Sequence, residues 1–91
     1  MPINLTLLTK PGCHLCDDAL VAVEATVAEF QAATSTALVS LEIKNILDDA
    51  ELQKRYAEEI PVLLINNRVH NYWRIDRERL RAALDDAEPE A

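Results

Sequence analysis

The sequence has little of several features that mark large protein classes. Its 91 residues include one glycine, two cysteines, and nine lysines and arginines against sixteen aspartates and glutamates. No apolar run approaches the ~20 residues that a helix needs to cross a bilayer. No basic stripe is present to bind nucleic-acid phosphates. Two cysteines are few for a structural zinc site, which usually takes four ligands. These absences disfavour membrane-spanning, nucleic-acid-binding and structural zinc proteins.

The residues that are present are typical of one small folded domain. Apolar residues make up 49% of the chain, which is sufficient for a folded core and too many for a disordered chain. We expect a domain at residues 1–84 and an acidic tail at residues 85–91 that frays. The first residues have no basic start before the apolar run, so we expect no signal peptide and a cytoplasmic location.

Hydrophobic periodicity predicts seven elements in the order β-α-β-α-β-β-α. They are a strand at residues 3–8, a helix from about Cys16 to Ala33, a strand near residues 39–44, a helix opened by Asp48, strands at residues 62–65 and 68–73, and a helix capped by Asp76. Strands that alternate with helices favour parallel crossovers in an α/β protein, and the closing hairpin adds an antiparallel edge.

The same patterns predict where some side chains lie. A helical stripe is expected to face the core, formed by Leu20, Val23, Val27 and Phe30. Because side chains alternate along a strand, Tyr72 and Trp73 should lie on opposite faces, with one of them packed on the sheet. The alternative is that they form an exposed aromatic platform beside the cysteines, where a protein substrate docks. His70 has no evident partner and is expected in solvent.

Both cysteines lie in one short segment between the first strand and the first helix. The segment reads Lys10-Pro11-Gly12-Cys13-His14-Leu15-Cys16. A thiol at a helix N-terminus is stabilised as the thiolate, and a second thiol one turn later can resolve a mixed disulfide. Cys-x-x-Cys in this context predicts a redox dithiol. Metal or cluster binding and an inactive remnant are the alternatives, and Gly12 marks either unusual dihedral angles or an ordinary turn.

This segment and Ile60-Pro61-Val62 resemble motifs of glutaredoxin-like proteins in the thioredoxin-fold superfamily. The chain is most similar to a short bacterial branch with Cys-His-Leu-Cys. The resemblance implies a thioredoxin-like α/β fold in which three helices flank a four-stranded mixed sheet. It also implies a thiol-disulfide oxidoreductase that works through a redox-active disulfide, without a bound cofactor or metal.

The resemblance implies roles for particular residues. Cys13 would be the nucleophile and Cys16 the resolving thiol. Pro61 would be a cis-proline facing the dithiol, and the backbone of Ile60 would pair with an extended substrate. Lys10 would contact the glycyl carboxylate of glutathione. Independently of the resemblance, a protonated His14 would favour the Cys13 thiolate.

The resemblance also implies partners. The substrate would be a disulfide-containing protein or a small thiol compound, and the reductant would be glutathione or the thioredoxin reductase system. We expect a monomer without nucleic-acid or membrane partners. Where the family has a Gly-Gly pair, this chain has Tyr72-Trp73-Arg74-Ile75, which predicts obstructed access for glutathione as a co-substrate. A non-catalytic peptide-binding module and a metal or iron-sulfur carrier are the alternative functions.

Overall fold

The computed structural model of the chain describes residues 3–34 and 38–87. Its elements follow the predicted order. They are β1 (Ile3–Thr9), α1 (His14–Ala33), β2 (Val39–Asn45), α2 (Ala50–Tyr56), β3 (Val62–Ile65), β4 (Arg68–Tyr72) and α3 (Arg77–Asp86). A single 3₁₀ turn, Ile46–Asp48, leads from β2 into α2. None of the helices in the described ranges has the length and apolar character that a membrane span requires.

The four strands form one mixed sheet in the order β2-β1-β3-β4. β1 pairs with β2 in parallel, and β3 runs antiparallel to both β1 and β4. The β3–β4 hairpin turns at Asn66 and Asn67, with φ angles of 48° and 67°. After glycine, asparagine is the residue type that best tolerates such left-handed angles. The predicted α/β fold, with three helices and a four-stranded mixed sheet, is confirmed.

The sheet buries apolar side chains on both faces, because successive residues of β1 and β3 point in opposite directions. One face carries what we name the large cluster, formed by Ile3, Leu5, Leu7, Ala19, Val23, Phe30, Leu63, Leu80 and Leu84. The other carries the small cluster, formed by Leu8, Cys16, Ile46, Tyr56, Ile60 and Val62. Helices α1 and α3 supply the large cluster, whereas α2, the 3₁₀ turn and the first turn of α1 supply the small one.

The helix starts differ from two of the predicted positions. Helix α1 begins at His14, earlier than expected, because Cys13 is its N-cap and Cys13 Sγ accepts a hydrogen bond from the Cys16 N–H at 3.1 Å. Asp49, and not Asp48, caps α2, since Asp48 is held in the 3₁₀ turn. The predicted cap of α3 is confirmed: Asp76 Oδ1 accepts from the N–H three residues later at 3.1 Å.

The buried stripe of α1 is only partly the predicted one. Val23 and Phe30 are buried, whereas Leu20 and Val27 are half-buried at the edge of the large cluster. Thr26, which lies between Val23 and Phe30 in the sequence, is fully buried. Its hydroxyl donates to the carbonyl one turn earlier at 2.8 Å, so the polar group is paired inside the core.

The predicted boundary at residue 84 falls inside α3. The helix continues to Asp86, so Asp85 and Asp86 belong to α3. An ion pair at 3.6 Å joins Arg81 Nε to Asp85 one turn later, an arrangement that supports an exposed helix end. Ala87 is the C-cap of α3, and residues 88–91 of the predicted tail lie outside the described residues.

Candidate functional site

The two cysteines lie at the start of α1, directly after a tight turn that connects it to β1. Gly12 adopts φ +77°, a left-handed conformation that side chains with a Cβ disfavour. A Cβ built at this position would meet no atom within 4 Å. The backbone angle, and not a lack of space, is therefore what favours glycine here.

Cys13 and Cys16 are bonded to each other but are unequally accessible. Their Cα atoms lie 5.2 Å apart, within the usual range for a disulfide. Cys13 is half-buried at the N-cap position, whereas Cys16 is 3% exposed and belongs to the small cluster. A reagent in solution can therefore approach Cys13, while Cys16 is reached mainly through its partner.

A second chain segment meets the dithiol across the small cluster. The Ile60-Pro61 peptide bond is cis, as expected for this segment. Ile60 belongs to the small cluster with Cys16, and Cys13 packs against that cluster. No hydrogen bond of the described chain engages the N–H or C=O of Ile60, whereas the Pro61 carbonyl accepts from the Trp73 N–H at 2.7 Å. The fold thus brings a disulfide together with two unpaired backbone groups.

The chain matches, over residues 4–85, the family model described as glutaredoxin-like domain (DUF836). It belongs to this glutaredoxin-like family. The match spans all the described elements apart from the extreme ends, and it contains both cysteines and the cis-proline.

Three proteins illustrate what this glutaredoxin-like chain is similar to. The uncharacterized protein Rv0508 of Mycobacterium tuberculosis is 30% identical over 83 residues, covering 89% of this chain and 81% of that protein. The X-ray structure of XcR50 from X. campestris is 35% identical with a TM-score of 0.69, covering 92% and 99% of the two chains. The solution structure of Ne2328 from Nitrosomonas europaea, at 24% identity and a TM-score of 0.60, covers 90% and 91% and shares the fold.

Lys10 and His14 are exposed residues close to the cysteines in sequence. Lys10 precedes the Pro11-Gly12 turn, and His14 is the first residue of α1. In residues 3–34 and 38–87, no hydrogen bond or ion pair engages either side chain. Their expected contacts with glutathione and with the thiolate stay predictions. The same ranges hold no group of three or more His, Cys, Asp and Glu residues arranged to bind a metal ion.

The predicted placement of the aromatic pair is wrong. Strand β4 ends at Tyr72, and Trp73 follows with φ +58°, so strand alternation does not apply to it. Neither ring packs into the sheet: Tyr72 is 41% exposed and Trp73 56%. Instead the indole Nε1–H donates to the Glu58 carbonyl at 3.1 Å. One sequence signal for this role is that the chain's single tryptophan lies in the short connection between β4 and α3.

His70 is half-buried and not in solvent as expected. In the β3–β4 pairing, Leu63 pairs with Asn71 and Leu64 pairs with Val69, so His70 has no partner on β3. This extra residue forms a β-bulge, which changes the direction of the His70 side chain. Its Nε2 is buried and has no hydrogen-bond partner in the described part of the chain. Burial lowers the pKa of His70 and the positive charge of Arg79 lowers it further, against a smaller opposing influence of Asp76.

Proposed function

We propose that this protein catalyses thiol-disulfide exchange, with Cys13 as nucleophile and Cys16 as resolving thiol. The observation that carries the proposal is the unequal exposure of two bonded cysteines at the start of a 20-residue helix. An external substrate needs one accessible sulfur, and the resolving step needs a second sulfur that is sheltered but within bonding distance. Family membership supports the same assignment.

The surroundings of Cys13 favour its thiolate in the reduced protein. The Cys16 N–H points at Cys13 Sγ across 3.1 Å, and α1 adds the partial positive charge of its N-terminus. A hydrogen bond to a charged acceptor stabilises the charged form of that group. Cys16 lies inside the small cluster, where low polarity favours the neutral thiol. This difference supports attack by Cys13 and resolution by Cys16.

The reaction balances as a transfer of two electrons. The Cys13 thiolate attacks one sulfur of a substrate disulfide, the substrate S–S bond breaks, and the leaving thiolate takes a proton from water. Cys16 then loses its proton and attacks Cys13 Sγ. This step releases the second substrate thiol and closes the Cys13–Cys16 bond. A dithiol, or two molecules of a monothiol, returns the two electrons and becomes oxidised.

We infer that the segment around the cis-proline holds the substrate. The unpaired N–H and C=O of Ile60 are suited to an extended peptide, because a strand-like segment offers the complementary groups. In this proposal Pro61 shapes the segment, Lys10 attracts an anionic substrate group, and His14 supports the thiolate. The substrates are disulfide-containing proteins or small thiol compounds, and the reductant is glutathione or the thioredoxin reductase system.

The proposed chemistry also suggests where the protein works and in which oligomeric state. A dithiol that cycles in this way is typical of a compartment with a reducing thiol pool, so we propose a cytoplasmic location. The catalytic unit would be the monomer, since both sulfurs and the Ile60 segment come from one chain. No bound cofactor takes part in the proposed electron transfer.

Redox titration of the Cys13–Cys16 pair tests the proposal. We expect reversible two-electron cycling with a midpoint between roughly −270 and −200 mV, the interval of thioredoxin and glutaredoxins. Glutathione and thioredoxin reductase should be supplied as competing reductants. Cys13→Ser should abolish disulfide reduction, whereas Cys16→Ser should still attack and accumulate a mixed disulfide that mass spectrometry detects. A pair that does not cycle would refute the enzyme assignment.

A non-catalytic peptide-binding module is the second candidate, and the unpaired backbone of Ile60 favours it as well. The Cys13→Ser variant separates the two functions. A peptide-binding module would keep its partner and its cellular phenotype in that variant, whereas an oxidoreductase would lose the phenotype.

A further inference from the structure

The chain's single tryptophan has a backbone conformation that large side chains rarely adopt. Trp73 lies at φ +58°, and the Arg74 N–H donates to the Tyr72 carbonyl at 2.7 Å, closing a three-residue turn around it. Such a conformation is unfavourable for a residue other than glycine. Asn66 and Asn67 of the β3–β4 hairpin also have positive φ angles, but asparagine tolerates this conformation. A tryptophan here therefore indicates a role for its side chain.

The two N–H groups of Trp73 hold the segment that carries the cis-proline. The indole Nε1–H donates to the Glu58 carbonyl at 3.1 Å, and the backbone N–H donates to the Pro61 carbonyl at 2.7 Å. Ile60 lies between these two anchors. Trp73 therefore fixes the position of the backbone groups that we propose for substrate binding.

Trp73 lines a groove whose opposite wall begins at Leu15, the residue before Cys16. The groove has a volume of about 320 Å³, and its two walls are formed by Leu15, Asp18, Ala19 and Ala22 of α1 and by Trp73, Arg74 and Ile75. Leu15 stands between the two cysteines in sequence and is 40% exposed. One acidic and one basic residue line the groove, so these two charges cancel and favour neither anions nor cations.

We propose that Trp73 is a specificity-determining residue of the dithiol site, selecting extended protein disulfides with an apolar side chain beside the reacting half-cystine. The indole and Leu15 enclose that side chain, and the Ile60 backbone pairs with the substrate main chain. A small disulfide has neither feature and gains nothing from the groove. This inference rests on the proposed thiol-disulfide exchange and names the substrate class of the same site.

The test compares three disulfides in single-turnover reactions with the pre-reduced protein. Two are peptide disulfides that differ only in having leucine or serine beside the half-cystine, and the third is hydroxyethyl disulfide. Closure of the Cys13–Cys16 bond is followed by acid quenching and mass spectrometry. We expect the leucine peptide to react about 10-fold or more faster than the serine peptide, the range that an apolar pocket supplies.

Substitutions on both walls identify the groove as the origin of this preference. Trp73→Gly should bring the leucine-to-serine rate ratio close to one and should slow the leucine peptide more than hydroxyethyl disulfide, because the aromatic wall of the groove is lost. Leu15→Ser should also remove the preference without altering the backbone. Trp73→Phe retains an aromatic wall and loses only the bond to Glu58, so it should keep most of the preference.

The outcomes separate this inference from the function on which it rests. A wild-type protein that is oxidised by none of the three disulfides contradicts the proposed function and the inference together. Equal rates with all three disulfides, or a preference that survives in both Trp73→Gly and Leu15→Ser, contradict only the specificity role. A Trp73→Gly variant that slows all three reactions alike would assign the residue a structural role instead.

Discussion

The two faces of the sheet are built from different kinds of residue. The large cluster is made of aliphatic residues, one alanine and one phenylalanine, and all but Ile3 lie inside a strand or helix and not at its first or last residue. The small cluster contains a cysteine, a tyrosine and the residue before the cis-proline, and its members come from the ends of elements. The ends of elements leave backbone groups unpaired, and such groups are available for chemistry. One face therefore maintains the fold, while the other supports the dithiol.

Neighbouring leucines of β1 offer the most direct test of this comparison. Leu7 belongs to the large cluster and Leu8 to the small one, and both are fully buried. Each change to alanine should lower the free energy of unfolding by about 2–5 kcal/mol in urea titrations. Leu8→Ala should also shift the redox midpoint by roughly 10–30 mV, because Leu8 packs in the cluster that contains Cys16.

Leu7→Ala is the matched control and should leave the midpoint unchanged. Equal midpoint shifts in both variants would show that the two faces are coupled, and the division between fold and chemistry would then be wrong.

Substitutions of Gly12 test how much the turn before the dithiol contributes to stability. Gly12→Ala should destabilise the protein by about 1–2 kcal/mol, because a Cβ is disfavoured at φ +77°. Gly12→Asn should recover part of this loss, since asparagine tolerates the left-handed region. Thermal and urea unfolding measure both effects. Full stability in Gly12→Ala would mean that the turn can adopt another backbone conformation.

Removing a helix cap should lower the free energy of unfolding by a smaller amount, and each face of the sheet has one cap that can be tested. Asp49 caps α2 over the small cluster, and Asp76 caps α3 over the large one. Either change to alanine should cost about 1 kcal/mol. In the reduced protein, Asp49→Ala should also speed alkylation of Cys16, because α2 covers its cluster, whereas Asp76→Ala should not. Similar alkylation rates in the two variants would contradict this separation.

The smallest expected effect concerns His70, which belongs to neither cluster. Burial holds its pKa in the folded state below the ordinary value, so the unfolded chain takes up the proton first as the pH falls. The free energy of unfolding should be fully retained above about pH 6.5 and should decrease as the pH drops through the folded pKa. His70→Gln should remove this part of the pH dependence.

Arg79→Gln refines the same measurement. It keeps the burial of His70 and removes the neighbouring positive charge, so the pH-dependent loss should become smaller without vanishing. Urea titrations between pH 5 and 8 compare the variants (a range that includes the ordinary histidine pKa). An unchanged pH dependence in His70→Gln would assign it to other groups.

The errors in the sequence-based prediction share one physical origin. Asp48 and Asp49 are chemically equivalent as caps, and only the 3₁₀ turn before α2 decides between them. The bulge in β4 changes the alternation that places His70 and Tyr72. Thr26 enters the core because its hydroxyl bonds to the helix backbone. Each outcome depends on local register and pairing that residue type alone does not specify.

The sequence by itself determined the order of elements and the position of the cysteine pair at a helix start. These follow from periodicity and residue chemistry, which act over a few neighbouring residues. Only the tertiary structure decided that Cys13 is accessible while Cys16 is not, that the Ile60 backbone is unpaired, and that Trp73 holds the segment beside it. Those properties arise where segments far apart in the chain meet, so no local pattern encodes them.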